Sequence, residues 1–135
     1  VTLIDKLERV QRNFTKRLPG FYNITYGERL KLLQIDSLEH RRLKFDLILC
    51  YKIFHELIEL TPSNYFSLSA NSTTRGHDYK IIQQHCRINA REHFFSNRII
   101  CWNSLPNDVV CASSLNSFNN LLASCDLSDF YIAHS

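Results

Sequence analysis

A chain of 135 residues, 44% hydrophobic and 21% charged, has the balance of one globular domain, and folding at that length buries roughly two thirds of the unfolded surface. No apolar run approaches the roughly 18 residues a bilayer span needs, and Val1 leads into an amphipathic pattern instead of a signal peptide. The net charge of +3 is unevenly spread: every Lys and Arg falls at or before Arg98, a basic excess that favours polyanionic partners over acidic ones.

In chain order, the first predicted element runs from Thr2 to Leu18, where Leu3, Leu7, Val10, Phe14 and Leu18 mark the inner face of a helix that Pro19-Gly20 stops. Lys6, Arg9, Arg12, Asn13 and Lys16 fall on the other side and form a basic ridge with Asp5 at its margin. Two readings of that ridge stand side by side: a solvated helix face, and a surface that contacts phosphates. After a turn over Phe21 to Thr25, Thr25-Tyr26-Gly27-Glu28 fits a capping box opening a short helix through Leu30, Leu32 and Leu33 to Gln34.

The longest element is Asp36 to Leu60, read as a helix of about seven turns that starts at a capping box between Asp36 and Glu39 and meets no Gly or Pro. Leu43, Leu47, Cys50, Tyr51, Phe54, Leu57 and Ile58 recur at helical spacing, and Phe45, Ile48, Leu49 and Ile53 widen that face. A helix apolar on most sides is expected to be central and wrapped by the others. Thr61 to Thr74 (61–74) reads as a long ordered loop pinned by Tyr65, Phe66 and Leu68.

In the second half, Tyr79 to Ile82 reads as a short extended segment with which Cys86-Arg87-Ile88 is able to pair. A helix is expected from Asn89 to Ser104 with Phe95, Ile99 and Trp102 inward, and Leu105-Pro106 as its end. Arg91, Phe94 and Arg98 share a neighbouring face of it, where an aromatic ring between two guanidinium groups suits a base or a sugar-phosphate backbone. The other reading has Phe94 in the core and the arginines capping carbonyls or pairing with Glu92 and Asp108. A last helix runs from Ser114 through Leu115, Phe118, Leu121, Leu122 and Cys125. The fold class is therefore mainly α: one helical domain (1–135) of about five helices, with a short β-hairpin allowed in the second half.

Several chemistries find no pattern. His77, His85, His93, Cys86, Cys101 and Cys111 lack metal-ligand spacing, so no metal is expected. The single glycines Gly20, Gly27 and Gly76 make no phosphate loop, and no cofactor or small-molecule substrate is expected. Five widely spaced cysteines, Cys50, Cys86, Cys101, Cys111 and Cys125, read as reduced intracellular thiols packed as small apolar groups, not as a disulfide framework or a nucleophile. The absence of methionine reads as a piece of a longer polypeptide.

Five blocks carry a resemblance: LERVQRNFTKRLPG (Leu7 to Gly20), YGERLKLLQIDSLEHRRLKFDLILCYKIFH (Tyr26 to His55), NSTTRGHDYKI (Asn71 to Ile81), FFSNRIICWNSLPNDVV (Phe94 to Val110) and SLNSFNNLL (Ser114 to Leu122). Together they resemble the C-terminal region of the polymerase polyprotein of non-LTR retrotransposons, of the jockey-like and LINE type. The resemblance implies a thumb-adjacent segment after the reverse transcriptase of an RNA-directed DNA polymerase, acting in the cytoplasm and nucleus. The acidic Tyr/Phe-Ala-Asp-Asp turn of such polymerases is missing, so the segment is expected to be noncatalytic. Its expected partners are RNA or DNA through the phosphate backbone and the upstream polymerase domain, with no membrane. The alternative is a structural, protein-interaction module that buttresses the polymerase body without touching nucleic acid. Lys6, Arg9, Arg12, Lys16, Arg91, Phe94 and Arg98 are the candidate nucleic-acid-binding residues, chosen from the helix faces alone.

Overall fold

Pro19-Gly20 ends the first helix as a tight turn. Proline presets φ at the second position, Gly20 takes φ 82° at the third, and the Phe21 N–H closes the turn on the Leu18 carbonyl at 3.1 Å. The computed structural model describes residues 2–69, 76–82, 87 and 99–131. Over these residues the chain is mainly helical, and it gathers into two compact units, Val1–Leu43 with Leu127–Ser135, and Lys44–Asp126.

The first unit holds α1 (Leu3–Lys16), α2 (Tyr26–Leu33) and the opening turns of α3 (Leu38–Phe54). Capping boxes start α1 and α2. The Thr2 hydroxyl accepts the Asp5 N–H at 3.2 Å while the Asp5 carboxylate accepts the Thr2 N–H at 3.1 Å, and Thr25 and Glu28 repeat the exchange. The threonine hydroxyls, with the backbone N–H groups, hold both carboxyls below their usual range. At the start of α3 the cap is Ser37, not Asp36: the Ser37 hydroxyl accepts the His40 N–H at 3.1 Å, and the Asp36 carbonyl instead accepts from the Gln11 side chain at 3.0 Å. His40 also bonds through Nδ1 to the Tyr131 hydroxyl.

The orientation expected for α1 does not hold. Leu3, Leu7, Val10 and Phe14 are exposed, while Glu8 and Thr15 are buried and Ile4 and Gln11 half-buried. The Glu8 carboxylate accepts the N–H groups of Leu38 (3.0 Å) and Glu39 (3.3 Å), two donors that the first turn of α3 leaves without an internal partner, and it also accepts the Tyr26 hydroxyl. One seam over, the buried Arg29 donates Nε to the Thr15 hydroxyl at 3.1 Å and its terminal amines to the carbonyls of Ile24 and Arg12. Buried donors of this kind must be met by acceptors. The polar seam of α1 therefore turns inward, and its apolar stripe lies roughly a third of a turn away.

In the second unit α3 buries Leu47, Cys50, Tyr51, Ile53 and Phe54, whereas Phe45 and Leu49 are exposed, so the helix is covered along one face and not all round. It also stops short of the expected Leu60. Glu56 adopts φ 55°, the Leu57 N–H reaches back to the Lys52 carbonyl at 2.9 Å and the Glu56 N–H to that of Ile53 at 3.3 Å, a Schellman stop built without glycine. A 3-10 helix follows at Pro62–Asn64, then an isolated antiparallel bridge between Leu68 and Ile81. Of the three loop residues expected to pin, only Phe66 is buried. The described partner of the Tyr79 to Ile82 segment is thus Leu68, while Cys86 and Ile88 lie outside the described residues, as does the expected helix from Asn89 to Arg98. Its last residues form a 3-10 helix, Ile99–Ser104, succeeded by α4 (Asn107–Val110) and by α5 (Leu115–Ala123), which Ser114 caps.

An aromatic cluster fills this unit. Phe54 stacks on Phe66 (5.2 Å between centroids) and on Trp102 (5.3 Å), and Tyr51 stacks on Phe118 (4.3 Å) while its hydroxyl donates to the Ala112 carbonyl at 2.6 Å. Polar bonds tie Trp102 and Asn103 to the 77–81 segment. The Trp102 indole N–H donates to the Tyr79 carbonyl at 3.0 Å, and the Asn103 amide both accepts the Ile81 N–H and donates to its carbonyl, each at 2.7 Å. The 77–81 segment and the Trp102-Asn103 pair are therefore joined physically in the core.

His77 completes the clamp. Its Nε2 faces the Trp102 carbonyl at 3.0 Å and its Nδ1 accepts the Tyr79 N–H at 3.1 Å, which fixes the neutral Nε2–H tautomer. Burial, the largest influence, pulls its pKa below the ordinary 6.5. Above that value both folded and unfolded forms are neutral, and below it the unfolded chain takes the proton first. Stability is thus expected to be flat above about pH 6.5 and to fall as the pH drops below it. Urea midpoints of the wild type and of His77→Gln between pH 7.5 and 5 check this; the variant should lack that share of the loss.

Candidate nucleic-acid interface

The ridge on α1 is built by what anchors the helix on its other side. With Glu8 and Thr15 turned inward, Lys6, Arg9, Arg12, Asn13 and Lys16 all lie exposed, and Arg17 extends the basic surface past the helix end. From Lys6 to Lys16 the rise of an α-helix gives about 15 Å, the axial length of about four phosphates of one strand. Lys6, Arg9, Arg12 and Lys16 supply four cations over that distance.

Arg12 is the most constrained of these. Its guanidinium lies 5.0 Å from the centroid of the Tyr26 ring, which the buried Arg29 also approaches at 5.5 Å. Tyr26 is itself held by its bond to Glu8 and by the Gln11 amide, which donates to its oxygen at 3.1 Å. Burial and the bond to Glu8 push the Tyr26 phenol up to about 12, so it stays a neutral donor at physiological pH. Tyr26 and Glu8 are thus positioning residues for the ridge. Neither stands out in the sequence, because their partnership joins α1, α2 and α3 through side chains far apart in the chain.

The second candidate cluster, Arg91, Phe94 and Arg98, lies outside the described residues. Among the described residues, no group of three or more His, Cys, Asp or Glu is placed to hold a metal ion, and no helix is long and apolar enough to cross a membrane. Cys50 and Cys101 are buried, and burial pushes both thiols up, Cys101 to about 12, so they pack as protonated apolar groups. Comparisons with protein-family models, curated proteins and solved structures found no match.

Proposed function

We propose that this chain is a noncatalytic helical segment from the C-terminal region of a non-LTR retrotransposon reverse transcriptase, holding RNA or DNA by its phosphate backbone. The observation that carries this reading is the exposed row Lys6, Arg9, Arg12 and Lys16, on a helix whose opposite seam is locked by buried polar bonds. Such a row offers point charges and forked donors, so contacts to phosphate dominate and sequence preference is small. The resemblance supplies the biological setting, and its partner there is the upstream polymerase domain.

The test is fluorescence anisotropy of the 135-residue chain with a labelled single-stranded RNA and with a primer-template duplex across a salt series. Wild-type affinity should fall linearly on a log-log plot. The triple variant Lys6→Ala, Arg9→Ala, Lys16→Ala should bind about tenfold more weakly or worse, with the slope on single strands shallower by about 2, as three lost phosphate contacts require. All three side chains are exposed, so circular dichroism should be unchanged. A slope identical to wild type would remove the ridge from nucleic-acid binding.

A further inference from the structure

The stripe that α1 leaves in water is more than scattered apolar surface. Leu3, Leu7, Val10 and Phe14 are 72%, 51%, 68% and 66% exposed. They recur at spacings of four, three and four, the alternating a and d positions of two heptads, with Leu7 and Phe14 at a and Leu3 and Val10 at d. Such a row leaves a continuous apolar strip on the order of a few hundred Å², the size at which exposed patches are commonly binding sites. The face that holds α1 in its own unit is a different one, through Glu8, Gln11 and Thr15.

We propose that this stripe docks an amphipathic helix of a partner protein whose apolar seam is edged by aspartate and glutamate. Charge selects that occupant. In this register Lys6 and Asn13 take the g positions along one rim, with Arg9 beyond them and Arg17 past the helix end, all exposed. The acids of α1 are committed elsewhere, Asp5 to its cap and Glu8 to the first turn of α3. A partner helix with acidic e and g positions pairs with this rim, and one with basic positions is repelled. A second copy of the chain fits worse, since it brings two basic rims together over a seam well short of the roughly 800 Å² per partner of a standard interface. The stripe and the ridge share one edge of α1, so a partner helix and a nucleic-acid strand occupy neighbouring faces.

The experiment uses the 135-residue chain and three labelled synthetic peptides of equal length, read by anisotropy: a leucine seam with Glu flanks, the same seam with Lys flanks, and Glu flanks with a serine seam. The first peptide should bind at least about tenfold more tightly than either other, and the double variant Leu7→Ala, Phe14→Ala should reduce that binding by about tenfold or more while leaving circular dichroism and RNA affinity unchanged. Equal binding of the Lys-flanked peptide overturns the charge argument. Equal binding of the serine-seam peptide means that the ridge merely collects polyanions. Loss of RNA affinity in the double variant gives the stripe to nucleic acid, and a concentration-dependent dimer abolished by the same variant gives it to a second copy. Each of these results overturns the proposal, and none depends on whether the ridge variant behaves as expected with RNA.

Discussion

Replacing Trp102 by alanine should cost the second unit about 4 to 5 kcal/mol, at the upper end for a large aromatic in a core. The side chain is 0% exposed and faces Phe54, Phe118 and His77, so its removal opens a cavity among rigid rings that have no way to close it. A polar loss adds to this, because the Tyr79 carbonyl loses its indole donor inside the core. Trp102→Phe separates the two contributions: it keeps most of the ring contacts, loses the N–H, and should cost about 1 to 2 kcal/mol. Since total stability is commonly about 5 to 15 kcal/mol, the alanine variant should be largely unfolded under mild denaturing conditions. Trp102 is the single tryptophan, so the wild type is followed by fluorescence and the variants by far-ultraviolet circular dichroism in urea. A cost below about 2 kcal/mol for Trp102→Ala would mean that the aromatic cluster is loosely packed.

The readable parts of this fold were those written in local chemistry. Thr25 with Glu28 and Ser114 ahead of Leu115 are caps because a side-chain oxygen and an N–H within three residues satisfy each other, and a sequence displays both at once. Pro19-Gly20 is equally local, since proline presets one φ of the turn and glycine supplies the positive φ that follows. The end of α3 was hidden because the left-handed residue is Glu56, where a glycine would have announced it, and the apolar spacing continues through Leu57 and Ile58.

The face of α1 shows a deeper limit. Periodicity reveals that a helix has an apolar stripe, but whether anything in the same chain covers it depends on the neighbours. Here α2 and the start of α3 present donors to Glu8 and Thr15, and the Asp36 carbonyl accepts from Gln11, so polar partners select Glu8, Gln11 and Thr15 over Leu7 and Phe14. The basic ridge was legible as a row of charges on one face. Its support by Tyr26 was not, since nothing local connects Tyr26 to Arg12.

That non-local polar seam makes Glu8 the most informative residue of the first unit. Glu8→Ala should destabilise the unit by about 3 to 4 kcal/mol, because two N–H groups of α3 and the Tyr26 hydroxyl lose a buried, charged acceptor at a helix N-terminus. Glu8→Gln, which keeps one oxygen and loses the charge, should cost about half as much. Circular dichroism in urea measures both, and Trp102 fluorescence reports whether the loss stays within the first unit. Tyr26 adds a pH signature. Its folded pKa of about 12 lies above the ordinary 10.0, so the stability it lends is complete below pH 10 and is lost as the pH rises through 12. Tyr26→Phe should therefore be weaker than wild type at neutral pH yet lose less on going from pH 9 to pH 11. If Glu8→Ala left the midpoint where it was, the inward turn of the polar seam would be wrong, and Leu7 and Phe14 would return to the core as the bare periodicity of the sequence suggests.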